Sequence, residues 1–159
     1  MKTTQIIIGI GLLLLPLVSC KSQTKDNKPE QKEETTAAQK SNIEHLTAAS
    51  FKQKVFDYEK HKDWKYAGDK PAIIDFYADW CGPCRIVAPT VAQIAEEYKG
   101  KVNVYKVNVD NEQELASVFG ISGIPAILFI PMTEQPQLSA GVINKEAFDK
   151  AIKNVLKVD

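Results

Sequence analysis

Two cysteines, Cys81 and Cys84, stand between an apolar run at residues 72–78 and a helical pattern at residues 85–98. A Cys-x-x-Cys pair at the point where a strand passes into a helix suits reversible disulfide chemistry. This feature constrains the fold strongly, because a buried strand must end directly before a helix that begins near the cysteines.

The two sulfurs are expected to have different tasks. Free N–H groups and the helix dipole at the helix start favour a thiolate at Cys81, which lowers the thiol pKa and makes this sulfur the nucleophile. Cys84 lies one turn further on the same side, so it can attack a mixed disulfide on Cys81 and release the partner. Gly82 adds little bulk where a substrate approaches, and Pro83 is tolerated in the first helical turn.

The cysteine pair has two other interpretations. A zinc site needs two further Cys or His ligands, and only Cys20, His45 and His61 remain elsewhere in the chain. An inert structural disulfide fits poorly with a Gly-Pro pair at a helix start beside Trp80. We therefore predict redox chemistry without a metal and without an organic cofactor.

Hydrophobic periodicity predicts helices that alternate with strands, followed by a hairpin and a last helix. The predicted strands are residues 42–46, 72–78, 102–109, 126–130 and 137–142, and the predicted helices are residues 47–58, 85–98, 112–119 and one that follows Asn144. Thr47, Asn111 and Asn144 are the expected N-caps. This order is typical of an α/β domain with a mixed central sheet covered on both faces.

The long helix at residues 85–98 carries an apolar stripe, and Pro89 inside it is expected to produce a kink. The stripe comprises Ile86, Val87, Val91, Ile94 and Ala95. We expect this stripe to pack against the sheet.

The segment Trp80-Cys81-Gly82-Pro83-Cys84 resembles the active-site pentapeptide of the thioredoxin family. The resemblance extends from about Ser41 to the C-terminus. It implies the thioredoxin fold, a central mixed β-sheet flanked by helices on both faces. It also implies a thiol–disulfide oxidoreductase, a protein-disulfide reductase in the simplest case, that acts on disulfide-containing protein substrates through a Cys81–Cys84 redox disulfide.

Asp75 is the anomalous residue of the apolar strand, because a buried carboxylate is costly unless it is neutral or paired. Desolvation is expected to raise the pKa of Asp75 into the range for proton transfer. Thioredoxins carry a buried aspartate here that manages the proton of the second cysteine, so the resemblance implies that Asp75 serves Cys84. Lys106 matches a family lysine near that aspartate and would partly oppose the pKa shift. A solvated aspartate and a solvated lysine are the alternatives.

The resemblance further implies a substrate groove of Trp80, Ile124, Pro125 and Gly141. In thioredoxins the peptide bond before the matching proline is cis and lies against the cysteines. The kinked backbone would leave the polar groups of Ile124 free to pair with an extended substrate. An ordinary trans proline at the head of a strand is the alternative.

The N-terminal residues are predicted to lie outside the folded domain. Residues 1–19 have the pattern of a signal peptide, and Leu17-Val18-Ser19-Cys20 resembles the bacterial lipobox, whose cysteine is lipidated. Residues 20–40 are too polar to bury a core, so we expect a lipidated Cys20 and a disordered tether, followed by the thioredoxin domain at residues 41–159. An ordinary secretory signal peptide is the alternative.

These features lead to expectations about location and partners. We expect the domain to be anchored to a bacterial membrane, in the periplasm or on the cell surface, as a monomer. An exported reductase needs electrons, so a membrane thiol carrier is inferred as a partner. The formal net charge of +0 and the lack of a basic patch argue against nucleic acid.

Several alternatives remain open from the sequence. They are a cytochrome-maturation-type thiol reductase, a disulfide oxidase or isomerase, and a non-catalytic binding module. Trp64 and Tyr66 lie in a long connection and either bind a partner or pin the connection to the domain; we favour the second. The proline-bounded connection at residues 131–136 is also longer than in most thioredoxins.

Overall fold

The structure is a computed structural model that describes residues 43–159. The predicted signal peptide at residues 1–19, the predicted tether at residues 20–40 and the predicted lipidation site Cys20 lie outside the described residues.

Helices and strands follow one another in the order that the hydrophobic pattern predicts. They are strand β1 (Glu44–His45), helix α1 (Ala48–Lys54), strand β2 (Ala72–Tyr77), helix α2 (Gly82–Glu97), strand β3 (Asn103–Asn108), helix α3 (Gln113–Val118), strand β4 (Ala126–Ile130), strand β5 (Gln137–Ala140), helix α4 (Lys145–Ala151) and a π-helical segment (Ile152–Leu156).

Strand β2 lies in the middle of a five-stranded sheet with the order β1-β3-β2-β4-β5. Strands β1, β3 and β2 are parallel, whereas β4 runs antiparallel to β2 and β5 antiparallel to β4. The first five residues of β2 are buried, as expected for a strand covered on both faces. The mixed sheet predicted from the sequence is confirmed.

Helices cover both faces of this sheet and create two apolar cores. Phe51 of α1 and Leu115 of α3 pack on one face with Phe76 of β2. Val91 of α2 and Phe148 of α4 pack on the other face. Because both faces are filled with hydrocarbon, a polar side chain within the first five residues of β2 is removed from water.

Helix α1 ends at Lys54, so the predicted continuation to Tyr58 is wrong. The carbonyl oxygen of Phe51 accepts hydrogen bonds from the N–H groups of both Val55 (2.8 Å) and Phe56 (3.2 Å). The chain turns there and buries Phe56 against Trp64, with ring centroids 4.8 Å apart. Tertiary packing therefore overrides the helical periodicity.

The predicted cap at Asn111 is also wrong, because helix α3 begins at Gln113 with Glu112 at the N-cap position. The Glu112 carboxylate accepts a hydrogen bond from the N–H of Ala48 (2.8 Å) instead of capping its own helix. This bond joins the starts of α1 and α3, which are far apart in sequence. The cap at Asn144 is confirmed, since its Oδ1 accepts the N–H of Ala147 (2.9 Å).

Trp64 and Tyr66 pin the connection between α1 and β2 to the domain, as favoured from the sequence. Their rings are nearly parallel, with centroids 6.4 Å apart, and both pack against the core that contains Phe51. The Tyr66 hydroxyl donates to the carbonyl oxygen of Lys70 at 2.5 Å. These contacts explain why the two aromatic residues are present, and no binding partner needs to be invoked for them.

Helix α2 runs through Pro89 from Gly82 to Glu97, and most of its predicted stripe is buried. Ile86 is the exception, since 67% of it is exposed. Its assignment to the core was wrong because the helix turns Ile86 toward solvent, while Val87 faces the sheet.

Within residues 43–159, α2 and the other helices are too short or too polar to cross a membrane.

Two isoleucines of helix α2 provide a matched test of this packing. Ile94→Ala removes a fully buried side chain and is expected to lower the free energy of unfolding by about 2–5 kcal/mol. Ile86→Ala makes the same chemical change at an exposed position and is expected to cost less than about 1 kcal/mol. Urea unfolding measures both, and equal losses would contradict the described orientation of α2.

Candidate active site

Cys81 and Cys84 form a disulfide at the N-terminus of helix α2, with Cα atoms 5.3 Å apart. Cys81 is the N-cap residue, and its sulfur accepts a hydrogen bond from the N–H of Cys84 (3.1 Å). Both cysteines are mostly buried. The predicted position of Cys81 at the helix start is confirmed, and a backbone donor of the helix points at its sulfur.

The local sequence explains the sharp passage from β2 into α2. The N–H of Cys81 donates to the carbonyl oxygen of Ala78 (3.1 Å), which closes a turn after the strand. Gly82 and Pro83 then occupy the first two helical positions, where N–H groups have no partner within the helix. Gly82 is half-buried and Pro83 is exposed, so the helix start is open at Pro83.

The peptide bond between Ile124 and Pro125 is cis, as the resemblance implied. Ile124 packs against the cluster formed by Ala78, Cys81 and Cys84. The carbonyl oxygen of Pro125 accepts a hydrogen bond from the N–H of Gly141 (2.8 Å).

Gly141 follows β5 with φ +87°, a conformation that strains any residue with a side chain. Strand β4 begins only at Ala126, so Ile124 takes part in none of the sheet pairings. The structure thus joins Gly141 to Pro125 and leaves the segment at Ile124 outside the sheet.

Trp80 is the most exposed large apolar residue among those described, at 69%. Its indole N–H donates to the Asp110 carboxylate (2.9 Å). Asp110 was missed from the sequence, although it lies two residues after the end of strand β3, the parallel neighbour of β2. Carboxyl ends of neighbouring parallel strands meet at one edge of a sheet, and this topology was the signal that could have identified it.

Asp75 lies in the middle of β2 and is only 1% exposed, so the alternative of a solvated strand-end aspartate is wrong. Lys106 on the paired strand places its Nζ 3.3 Å from Oδ2 of Asp75. The second oxygen, Oδ1, has no hydrogen-bond partner in the described part of the chain. Burial raises the pKa of Asp75 above its ordinary value, and the Lys106 ammonium opposes this rise without cancelling it.

Tyr77 and His45 extend this pair of charges, and sequence reasoning assigned neither to the site. The Tyr77 hydroxyl lies 3.2 Å from Nδ1 of His45. The Lys106 Nζ lies 4.3 Å from the centre of the Tyr77 ring. No local pattern indicates this arrangement, because it depends on the register of three strands.

Among residues 43–159, no three His, Cys, Asp or Glu side chains are placed to hold a metal ion.

Comparison with known proteins identifies the family. The Thioredoxin family model matches residues 42–154. The chain is 44% identical over 109 residues to the thioredoxin of Borreliella burgdorferi, covering 69% of this chain and 93% of that protein. It is 36% identical over 111 residues to thioredoxin 1 of Nostoc sp., covering 70% of this chain and 94% of that protein.

Among solved structures, chloroplastic thioredoxin z is similar, with a TM-score of 0.61 and 25% identity, covering 73% of this chain and 96% of that chain. The chain therefore belongs to the thioredoxin family, and the thioredoxin fold expected from the active-site residues is confirmed. With its two cysteines joined at the start of α2, it is a thiol–disulfide oxidoreductase of that family.

The raised pKa of Asp75 has a consequence for stability. The folded protein binds this proton more tightly than the unfolded chain, so stability falls as pH rises from the unfolded-state pKa through the folded-state pKa. Asp75→Asn removes the ionisable group, so it is expected to raise the free energy of unfolding by roughly 1–3 kcal/mol at pH 8. Below about pH 4, where the carboxyl group is protonated in both the folded and the unfolded state, this increase is expected to disappear. Urea unfolding at both pH values measures the difference.

The matched control is Asp79→Asn, which makes the same change at an exposed carboxylate close in sequence. It is expected to change stability by less than about 0.5 kcal/mol at either pH. If Asp75→Asn destabilised the protein at pH 8, the carboxylate would be better solvated or paired than described here.

Proposed function

We propose that the protein reduces disulfides of protein substrates with the Cys81–Cys84 dithiol. The observation that carries the proposal is the helix N-terminus at Cys81. A backbone N–H donor of α2 points at the Cys81 sulfur, and the helix dipole stabilises negative charge there. In the dithiol form this environment favours a Cys81 thiolate, the species that attacks disulfides.

The reaction has two exchange steps. The Cys81 thiolate attacks one sulfur of the substrate disulfide, which breaks that bond, forms a mixed disulfide and releases the other substrate sulfur as a thiolate. Cys84 then loses its proton and attacks the Cys81 sulfur, which releases the second substrate thiolate. Two electrons pass to the substrate, whose thiolates take up protons. The protein is left with the Cys81–Cys84 disulfide that the structure contains.

Asp75 is proposed as the group that accepts the Cys84 proton. Its burial raises its pKa toward that of a thiol, so transfer between the two groups is less unfavourable than for an exposed carboxylate. The Lys106 ammonium keeps enough of the carboxylate ionised to act as a base. Lys106 therefore has a supporting role in this mechanism.

Substrate binding is proposed at the groove of Trp80, Ile124, Pro125 and Gly141, in which Trp80 is exposed and Pro125 is buried. Ile124 contacts the cysteine cluster and lies outside the sheet, so its backbone is available to an extended substrate segment. Trp80 offers a large exposed ring that Asp110 holds in place. Backbone pairing would accept many sequences, which suits a reductase of diverse proteins.

A location in the cell envelope is part of the proposal. It is supported by the lipobox-like segment that ends at Cys20 and by the polar stretch at residues 21–40. A lipid on Cys20 would hold a monomeric domain near a membrane, where a tether of this length raises the effective concentration of membrane-bound partners. A membrane thiol carrier would return the dithiol to its reduced form.

The division of labour between the cysteines is testable by substitution. Cys84→Ser keeps the nucleophile but cannot resolve the mixed disulfide, so it is expected to accumulate a covalent complex with insulin. Cys81→Ser is expected to form no such complex. Both should lose at least about 100-fold in insulin reduction driven by dithiothreitol.

The control is Cys20→Ser, which removes the remaining cysteine and is expected to leave insulin reduction unchanged. Full turnover by Cys81→Ser would defeat the enzyme mechanism. The direction of exchange is tested by equilibration with thiol–disulfide buffers. A reduction potential near about −270 mV supports a reductase, whereas a value near about −120 mV indicates an oxidase.

The anchor is testable in bacterial cells that express the full chain. Cys20→Ala removes the lipid acceptor, so the protein is expected to move from the membrane fraction to the soluble fraction. Cys84→Ser is the matched control, since it also removes one thiol and is expected to stay with the membrane. An unchanged membrane fraction for Cys20→Ala would contradict lipid anchoring at this residue.

A further inference from the structure

Three charged or titratable residues form one row across the parallel part of the sheet. His45 of β1 is in register with Lys106 of β3, and Lys106 is in register with Asp75 of β2. Directly paired residues of neighbouring strands project to the same face, so the three side chains lie side by side. His45 is exposed, the Lys106 side chain is 16% exposed and Asp75 is buried, so the row leads from solvent into the core.

Tyr77 joins this row from the same face of β2, two residues beyond Asp75. Its ring centre lies 4.3 Å from the Lys106 Nζ, well within the range of a cation–π interaction. Its hydroxyl lies 3.2 Å from Nδ1 of His45, and the two rings meet edge to face with centroids 5.9 Å apart. Tyr77 also packs against the cluster that contains Cys81 and Cys84.

The Lys106 ammonium therefore lies between an aromatic face and a carboxylate oxygen. The ring contact and the 3.3 Å ion pair to Asp75 both limit where Nζ can go. A lysine side chain has several rotatable bonds, and holding it in one place costs conformational entropy. A ring already fixed by His45 reduces the freedom that the ammonium would otherwise have.

We propose that Tyr77, oriented by His45, is a positioning residue that keeps the Lys106 ammonium against Asp75 and so sets the proton affinity of that carboxyl group. The consequence for catalysis rests on the proposed function, in which Asp75 accepts the proton of Cys84. Tyr77 touches neither substrate nor the transferred proton in this account.

The other surroundings of Asp75 leave Lys106 as its nearest opposite charge. Ile127 of β4, the residue paired with Asp75 on the other side, is apolar. Cys81 and Cys84 of α2 are joined in the disulfide, and His45 lowers the pKa of Asp75 more weakly than Lys106 does. Burial raises the pKa of the Tyr77 hydroxyl, and the negative charge of Asp79 adds to this rise, so the ring stays neutral beneath the ammonium.

The test measures the pKa of Asp75 by carboxyl-carbon NMR titration of the oxidised full chain that carries Cys20→Ser. Tyr77→Leu removes the aromatic face, frees the ammonium and is expected to raise the Asp75 pKa by about half a pH unit. Tyr77→Phe keeps the ring and loses only the link to His45, so its shift is expected to be less than half as large. Tyr77→Trp offers a better face for a cation and is expected to lower the pKa.

The Lys106→Met background separates positioning from other effects of the ring. If Tyr77 acts through Lys106, Tyr77→Leu is expected to leave the Asp75 pKa unchanged once the ammonium is gone. The same rise in both backgrounds, or no rise in the parent, would overturn the proposal. If Tyr77→Leu does not fold, Tyr77→Trp decides alone, because a raised or unchanged pKa in that variant overturns the proposal as well.

Insulin reduction by the same variants keeps this result distinct from the proposed function. If the Asp75 pKa depends on Tyr77 as described but the protein does not reduce insulin, the positioning role stands and the proposed reductase function is wrong. If the protein reduces insulin but its Asp75 pKa does not change when Tyr77 is substituted, only the positioning role is wrong.

Discussion

The burial of strand β2 on both faces is the constraint on which the rest of the structure depends. Helices α1 and α3 cover one face and α2 and α4 cover the other, so the carboxyl end of β2 is the place where the chain can turn out of the core into α2. The cysteine pair stands at that turn, and the backbone N–H of Cys84 in the first turn of α2 points at the Cys81 sulfur. The same burial makes Asp75 costly to ionise.

The site thus combines two opposite electrostatic environments. The start of α2 stabilises negative charge on a sulfur, whereas the sheet interior resists negative charge on a carboxylate. The first environment favours the Cys81 thiolate that attacks in the proposed mechanism, and the second raises the pKa of Asp75, the group proposed to accept the proton of Cys84. Lys106 moderates the second environment, and Tyr77 and His45 in turn limit the freedom of Lys106.

The sequence predicted most of the fold because its strands and helices differ clearly in hydrophobic period. Errors occurred where contacts distant in sequence decide the backbone. Helix α1 stops early because Phe56 is drawn against Trp64, and Glu112 serves Ala48 rather than its own helix. Ile86 is apolar, as core residues are, but its position around α2 turns the side chain toward solvent. None of these outcomes has a local signal.

For the site, the sequence by itself determined the cysteine pair, the proline at the head of β4 and the carboxylate within an apolar strand, because each is a residue type that is unusual in its local setting. The placement of Asp110 under Trp80, and of Tyr77 and His45 beside Lys106, was decided only by the tertiary structure. The physical reason is strand register. Side chains on β1, β2 and β3 meet only after the sheet has formed, and a shift of one residue would send each of them to the opposite face.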